Sequence, residues 1–251
     1  MLFMLWMRSY PSYHLLSLLF DVSVTTVHDE INWCIPIMWE HFHALVQWPS
    51  LDECTSKIGN WNKLPSAVGA IDGTSTEINR PHIEPQELYF SGHRHFHVIH
   101  TQVVVDNTGK ICHIQSGFLG HQNDAQHFRL MPQIGYNQEL DFPQNFVLLA
   151  DKIYPNGYPL MTPYTRRQLN VRPDNVRRKC RKLNRLITEY RVKVEHAICD
   201  LKHYKIIGTL WRDPRRKLKK FVELCGAFVR RLQTLFYWYI KTIYLTMYNA
   251  F

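Results

Sequence analysis

The sequence has no C-x-x-C pair: its six cysteines (Cys34, Cys54, Cys112, Cys180, Cys199 and Cys225) are scattered singly along 251 residues. That spacing excludes a zinc ribbon and gives no disulfide framework of the small-scaffold kind, so free thiols in a reducing compartment are the simplest account. Internal repeats and low-complexity tracts are absent too, which excludes a solenoid. Long apolar runs are missing. Met1 to Met7 is too short for a signal core, and no small-residue cleavage pattern follows it. Leu235 to Phe251 is apolar, but it is 17 residues long and interrupted by Lys241, so a packed helix is expected rather than a membrane anchor. Acid is scarce: 21 Asp+Glu stand against 30 Lys+Arg, a formal charge of +9 with a pI near 9.3. Such a balance points to a polyanionic partner, nucleic acid before membrane; a merely basic soluble protein is the plainer alternative.

What is present is enough for a core, with 45% hydrophobic residues and 13% aromatics. The first fifty residues read as helical. Tyr13 to Phe20 is a short apolar helix, Asp21-Val22-Ser23 a turn, and Val24 onwards a second helix with Ser23 as N-cap. A helix, a tight turn and a Thr-rich helix start match a helix-turn-helix; an ordinary helical hairpin explains the pattern at least as well. The chain divides into a helical segment over 1–48, a linker over 49–66, an α/β domain over 67–211, and a basic, then apolar, helix over 212–251.

Within the α/β part, Ala67 to Thr74 reads as a buried strand ending at Asp72. Phe96 to Asp106 and Lys110 to Phe118 form a hairpin about an Asp106-Asn107-Thr108-Gly109 turn. A helix is expected from about Asn123 to Met131, then a short apolar strand, Phe146 to Asp151, that again ends on an acid. Helices follow, over about Leu183 to Tyr204 and from Lys217 to at least Trp238. That order matches an RNase H-like mixed sheet flanked by helices. In such a fold the first and central strands are neighbours, so Asp72 and Asp151 should meet. Glu195 lies beside the apolar stripe Ile187, Tyr190, Val194, Ala197 and Leu201, at the expected margin of the core. Three converging carboxylates need a compensating cation, and hard oxygen ligands suit Mg²⁺ or Mn²⁺, as a pair of ions serving phosphodiester chemistry.

Four segments in order then resemble one family: Ala70-Ile71-Asp72-Gly73-Thr74; Gly117 to Asp124; Leu148 to Pro155; and Arg191 to Ile198. They resemble PIF/Harbinger-type transposases and the Harbinger-derived nucleases domesticated from them, over about Leu15 to Trp211. The resemblance implies a DDE nuclease with Asp72, Asp151 and Glu195 as its catalytic acids. It also implies Asp124 as a further metal ligand, although a residue at a helix start could simply cap backbone N–H groups. It further implies a separate Myb-like partner protein that supplies DNA targeting and nuclear entry, with the protein itself in the nucleus and cytoplasm. Two departures stand out. The usual G-D-x-G-Y is Ala150-Asp151-Lys152-Ile153-Tyr154 here, without either glycine, and H-D-S is Asn123-Asp124-Ala125. The chain also begins almost at the helix-turn-helix, which suggests a shortened N-terminus.

Two further groups carry chemistry. His93, His95, His97 and His100 crowd the start of a strand, the first three on one face, but no Cys or carboxylate at a recognisable spacing completes a zinc site. Arg166 to Lys193 holds 11 basic residues with only Asp174 and Glu189 as acids. Arg166, Arg167, Arg177, Arg178, Lys179, Arg181, Lys182 and Arg185, together with Arg94, are the expected DNA contacts. Arg212, Arg215, Arg216, Lys217, Lys219 and Lys220 form a second basic run. The expectation is a metal-dependent DNA endonuclease, with strand transfer if transposition is retained, and a homo-oligomer is compatible with it. Its rivals are a domesticated, non-catalytic DNA-binding scaffold and an RNase H-like ribonuclease.

Overall fold

The computed structural model describes residues 1–83 and 85–248, and of 233–248 the backbone alone. Helices α1 (Leu2–Ser9), α2 (Tyr13–Phe20), α3 (Val24–Phe42) and α4 (Leu51–Ser56) precede the first strand. Ser23 caps α3 as its sequence position requires, its hydroxyl accepting from the Thr26 N–H at 3.0 Å. Thr25 and Thr26 are exposed. Helix α1, where the sequence shows only a short apolar run, buries Phe3, Trp6 and Met7.

The sheet is built from β1 (Ala67–Glu77), β2 (Phe90–Ser91), β3 (Phe96–Asp106), β4 (Ile111–Leu119), β7 (Val147–Leu149) and β8 (Leu160–Met161). Two-residue strands β5 (Ile134–Gly135) and β6 (Leu140–Asp141) pair only with each other. Strand β3 is antiparallel to both β1 and β4, while β7 is parallel to β1 and to β8. A three-strand antiparallel meander continued by two parallel strands is the expected RNase H-like arrangement. The β3–β4 turn is held by Asp106, whose Oδ1 accepts from the N–H groups of Thr108 and Lys110 at 2.9 and 3.0 Å. Gly109 takes the left-handed φ of +90° that this turn requires.

Strand alternation sends neighbouring residues to opposite faces. Val103, Val105, Ile111 and Leu149 join one hydrophobic cluster, and Val104, Cys112 and Leu148 join another. The first face carries α7 (Asp174–Lys202), α8 (Lys205–Gly208) and α9 (Arg215–Tyr248). Buried residues of α1, α2 and α3 (Trp6, Leu16, Ile31) lie in this same cluster with Trp211 and Phe221. Each such large side chain, fully buried, is worth about 1.5–3 kcal/mol. The second face carries α5 (Asp124–Leu130) and the segments around Phe142 and Tyr154. A short helix, α6 (Arg166–Asn170), leads into α7.

Several expected boundaries move. Strand β1 does not end at Asp72 but runs on to Glu77, because β3 pairs with it as far as Glu77↔Val98. Helix α7 starts at Asp174 rather than near Leu183, so most of the basic segment is helix. Its charged first turns carry little apolar signal, yet Cys180 and Ile187 already face inward. Strand β3 begins at Phe96, with His93 and His95 in the preceding turn and His95 at a φ of +63°. The first three histidines therefore do not share a strand face. Among the described residues no helix is long and apolar enough to cross a membrane. The side chains of the apolar tail after Leu235 lie outside the described residues.

Candidate active site

The parallel pairing of β1 with β7 ends at Ala70↔Leu149. Asp72 and Asp151 each lie two residues beyond that pair, with the same parity as the α7-facing Ala70 and Leu149. From there β1 continues only against β3, so a cleft opens where β7 stops, with an aspartate on either side. The two acids thus meet, but through a different register from two strands ending on acids.

Between them lies Arg191. One Nη donates to Asp72 Oδ2 at 2.9 Å, and the other lies 3.7 Å from Asp151 Oδ1. The guanidinium comes from the buried stripe of α7, four residues after Ile187 and three before Val194. In the sequence Arg191 opens a motif with no role of its own, and a charge inside an apolar stripe is the available signal. The other oxygen of Asp72, Oδ1, accepts the Gly73 N–H at 2.9 Å. Burial pushes the Asp72 carboxyl above its usual range; Arg191 and the Gly73 N–H oppose this, and the charges of Asp124 and Glu195 add to it.

Asp124 arrives from the opposite face. It does not cap α5: that is done by Asn123, whose side chain accepts from the Gln126 N–H while Gln126 reaches back to the Asn123 N–H. The Asp124 carboxylate instead accepts from Gln102 Nε2 at 2.9 Å and lies 3.6 Å from His127 Nδ1. It fills the space beside Gly73, where a Cβ would stand only 2.1 Å from Asp124 Oδ1. The D-G-T glycine therefore lets an acid from the α5 face reach the flank of Asp72. Burial alone would raise the Asp124 carboxyl, but hydrogen bonds from His127 and Gln102 outweigh it, and the net shift is downward.

Gln102, fully buried and directly opposite Gly73 across the β1–β3 ladder, also accepts from the Tyr154 hydroxyl at 2.5 Å. Tyr154 follows Asp151 by one turn, its N–H donating to the Asp151 carbonyl at 3.1 Å. The loop thus closes without the two family glycines, and no residue from Ala150 to Tyr154 has a positive φ. His100, its ring tilted against that of His127 with centroids 4.8 Å apart, is pushed below its usual pKa by burial and then by His127. Gln102 is not legible as a site residue, because only the β3–α5 packing brings it to Asp124; His127 stands three residues after Asp124 on α5, and that i,i+3 spacing was the available signal.

Glu195 stands one turn after Arg191 on α7, yet it is exposed rather than set at the core margin. The stripe is narrower than the sequence suggested, with Arg191, Val194 and Ala197 filling it. Among the described residues no three His, Cys, Asp or Glu side chains stand close enough together to hold a metal ion, the four histidines from His93 to His100 included. The donor chemistry nevertheless suits a hard divalent cation: carboxylates from β1, the β7 exit and α5 border one cleft, Asp124 reaching it because Gly73 has no side chain.

The basic residues divide. Arg166, Arg167, Arg178, Lys179, Arg181, Lys182 and Arg185 are exposed along α6 and the first half of α7. Arg177 is engaged, bonding to the carbonyls of Leu169 and Arg172 and pairing with Asp174. Arg181 precedes Glu195 by close to four helical turns, so both project to similar sides of α7, roughly 20 Å apart. Arg94 is exposed as well, but its charge is felt by Lys202 at the far end of that helix.

"Protein ALP1-like" of Arabidopsis thaliana is 26% identical over 223 residues, a match that covers 82% of this chain and 53% of the relative. The chain thus spans about half the length of that curated relative. No solved structure matches the chain significantly. The family described as DDE superfamily endonuclease matches residues 71–230, from the residue before Asp72 to well into α9. The resemblance carried by the four motifs is borne out, and with more than half its length inside that match the chain belongs to the DDE superfamily endonucleases.

Proposed function

We propose that this protein is a divalent-metal-dependent DNA endonuclease that hydrolyses phosphodiester bonds in the cleft between β1 and β7. The observation that carries this reading is the matched register of Asp72 and Asp151, two residues beyond Ala70↔Leu149, with Asp124 admitted beside them by Gly73. Asp72, Asp124, Asp151 and Glu195 would hold one or two Mg²⁺ or Mn²⁺ ions, which supply an activated water or 3′-hydroxyl and stabilisation of the leaving oxygen. The chain's own contribution is positional. Gln102 and His127 fix the Asp124 carboxylate, the Gly73 N–H fixes one oxygen of Asp72, and Tyr154 anchors the turn after Asp151. Exposed arginines and lysines of α6 and α7 would neutralise the phosphates of a duplex laid along that helix towards Glu195. Nuclear action with a Myb-like targeting protein accompanies this reading through the family resemblance alone.

One assay tests it. Purified protein is incubated with supercoiled DNA and with RNA–DNA hybrid in Mg²⁺ or Mn²⁺, beside Asp72→Asn and Glu195→Gln. Metal-dependent nicking of DNA by the wild type, reduced by at least about a hundredfold in both variants, is expected. No cleavage of either substrate, or equal cleavage by the variants, would overturn the endonuclease; preferential hybrid cleavage would make it a ribonuclease. A second reading, a DNA-binding scaffold that has given up catalysis, is favoured by the Arg191 bridge across Asp72 and Asp151. It predicts salt-sensitive DNA binding with no cleavage.

A further inference from the structure

The bridge itself calls for a physical account. Two carboxylates facing each other across a half-closed cleft repel, and in water the strands bearing them would splay or one acid would take up a proton. Arg191 removes that repulsion. Its planar fork spans both acids, 2.9 Å to Asp72 and 3.7 Å to Asp151, which a single ammonium on a lysine does less well. The arrangement is incomplete, however. Arg191 is 9% exposed, and its Nε has no hydrogen-bond partner in the protein. Both oxygens of Asp72 are also taken, Oδ1 by the Gly73 N–H and Oδ2 by Arg191. A cation that ligates Asp72 at the short distances of metal–oxygen bonds must therefore compete with the guanidinium for Oδ2.

We propose that Arg191 is a positioning residue that acts as the protein's own stand-in cation: it holds Asp72 and Asp151 in register in the ion-free protein and yields Asp72 to an incoming divalent ion. The inference rests on the metal-dependent reading above and adds to it a residue that sets ion affinity. Arg191 keeps the acids assembled for the ion and weakens ion binding by competition. An ordinary structural ion pair would do only the first of these.

The test compares wild type, Arg191→Met and Arg191→Lys, stripped with chelator. Mn²⁺ affinity is read from the electron spin resonance of free Mn²⁺, and thermal unfolding is followed with and without the ion. Arg191→Met should bind Mn²⁺ about tenfold more tightly, the equivalent of one hydrogen-bonded contact no longer displaced. It should melt below wild type without the ion and regain more of its melting temperature with it; Arg191→Lys should fall between. A folded Arg191→Met with equal or weaker Mn²⁺ affinity would overturn the inference and leave the metal-dependent reading standing. Absence of Mn²⁺ binding in wild type and variants alike would overturn both. Should Arg191→Met not fold, the wild type decides: the Nε–H resonance of Arg191, assigned by its loss in Arg191→Lys, must shift as Mg²⁺ saturates the protein. A resonance that stays fixed while Mg²⁺ binds overturns the inference.

Discussion

Gly73 and Asp124 occupy each other's space: a Cβ on the glycine would stand 2.1 Å from the Asp124 carboxylate oxygen and 3.0 Å from Gln102 Nε2. The contact joins the two faces of the sheet at the point where β1 runs on past the end of its pairing with β7. It explains in physical terms why the residue after the first acid has no side chain.

Gly73→Ala should therefore leave the fold in place and disperse the acids. The methyl group forces Asp124 away from Gln102, costing about 1–3 kcal/mol by overpacking. Divalent-ion affinity should fall by at least about tenfold if the displaced carboxylate is a ligand. Calorimetric titration with Mn²⁺, beside a denaturant curve, reads both; unchanged ion affinity would remove Asp124 from the site.

Gln102 ties Asp124 to Tyr154 inside the protein. Replacing it with leucine, of similar size, leaves the Tyr154 hydroxyl and one Asp124 oxygen without their partner. The expected loss is about 1–3 kcal/mol, the cost of unsatisfied buried polar groups. A double-mutant cycle with Tyr154→Phe should show coupling of about 0.5–3 kcal/mol. Additive effects would mean that the two residues do not act as one network.

The exposed arginines of α7 should act through phosphate charge. Each Arg→Ala change at Arg178, Arg181 or Arg185 should weaken duplex binding equally across sequences. Each should also reduce the slope of log K against log salt by about 1 where a phosphate contact is lost. Fluorescence anisotropy at several salt concentrations measures this. A preserved slope would place the duplex elsewhere.

Lys202 gives a pH signature. Its ammonium is buried against the carbonyls of Ser75 and Ile207, and burial, with Arg94 next, lowers its pKa from 10.5 to about 8. Between those values the unfolded chain binds more protons than the native one, so stability attributable to Lys202 rises with pH across that window. Below pH 8 the charged form is carried at a cost. Wild type should gain stability relative to Lys202→Met between pH 8 and 10, by an amount on the order of 2–3 kcal/mol. Parallel pH profiles of urea midpoints for the two proteins would show that Lys202 is not the buried titrating group.

Much of this molecule is written locally. The hairpin from Phe96 to Leu119 follows from alternating apolar residues and an Asp-Asn-Thr-Gly turn. The α3 start follows from Ser23, and the α7 stripe from its helical period. Asp72 and Asp151 were visible as acids at the edge of apolar strands, because an apolar run that gives way to an acid is a property of a few consecutive residues.

What brings those acids together is not local. The sequence does not state that β1 outlasts β7, that Gly73 faces Gln102, or that α7 begins at Asp174, since each depends on which chains lie alongside. The role of Arg191 is the sharpest case. In the sequence it interrupts an apolar stripe as one more charge, and only the packing of α7 over the β1–β7 cleft turns it into the counter-ion of Asp72 and Asp151. Glu195, four residues on, is exposed for the same reason: the width of a helix's buried face is decided by the surface it packs against. Residue chemistry and local periodicity determined which groups exist and which elements carry them. Long-range pairing and burial decided which of them share an electrostatic field, because Coulombic and hydrogen-bond energies depend on distance in space and not along the chain.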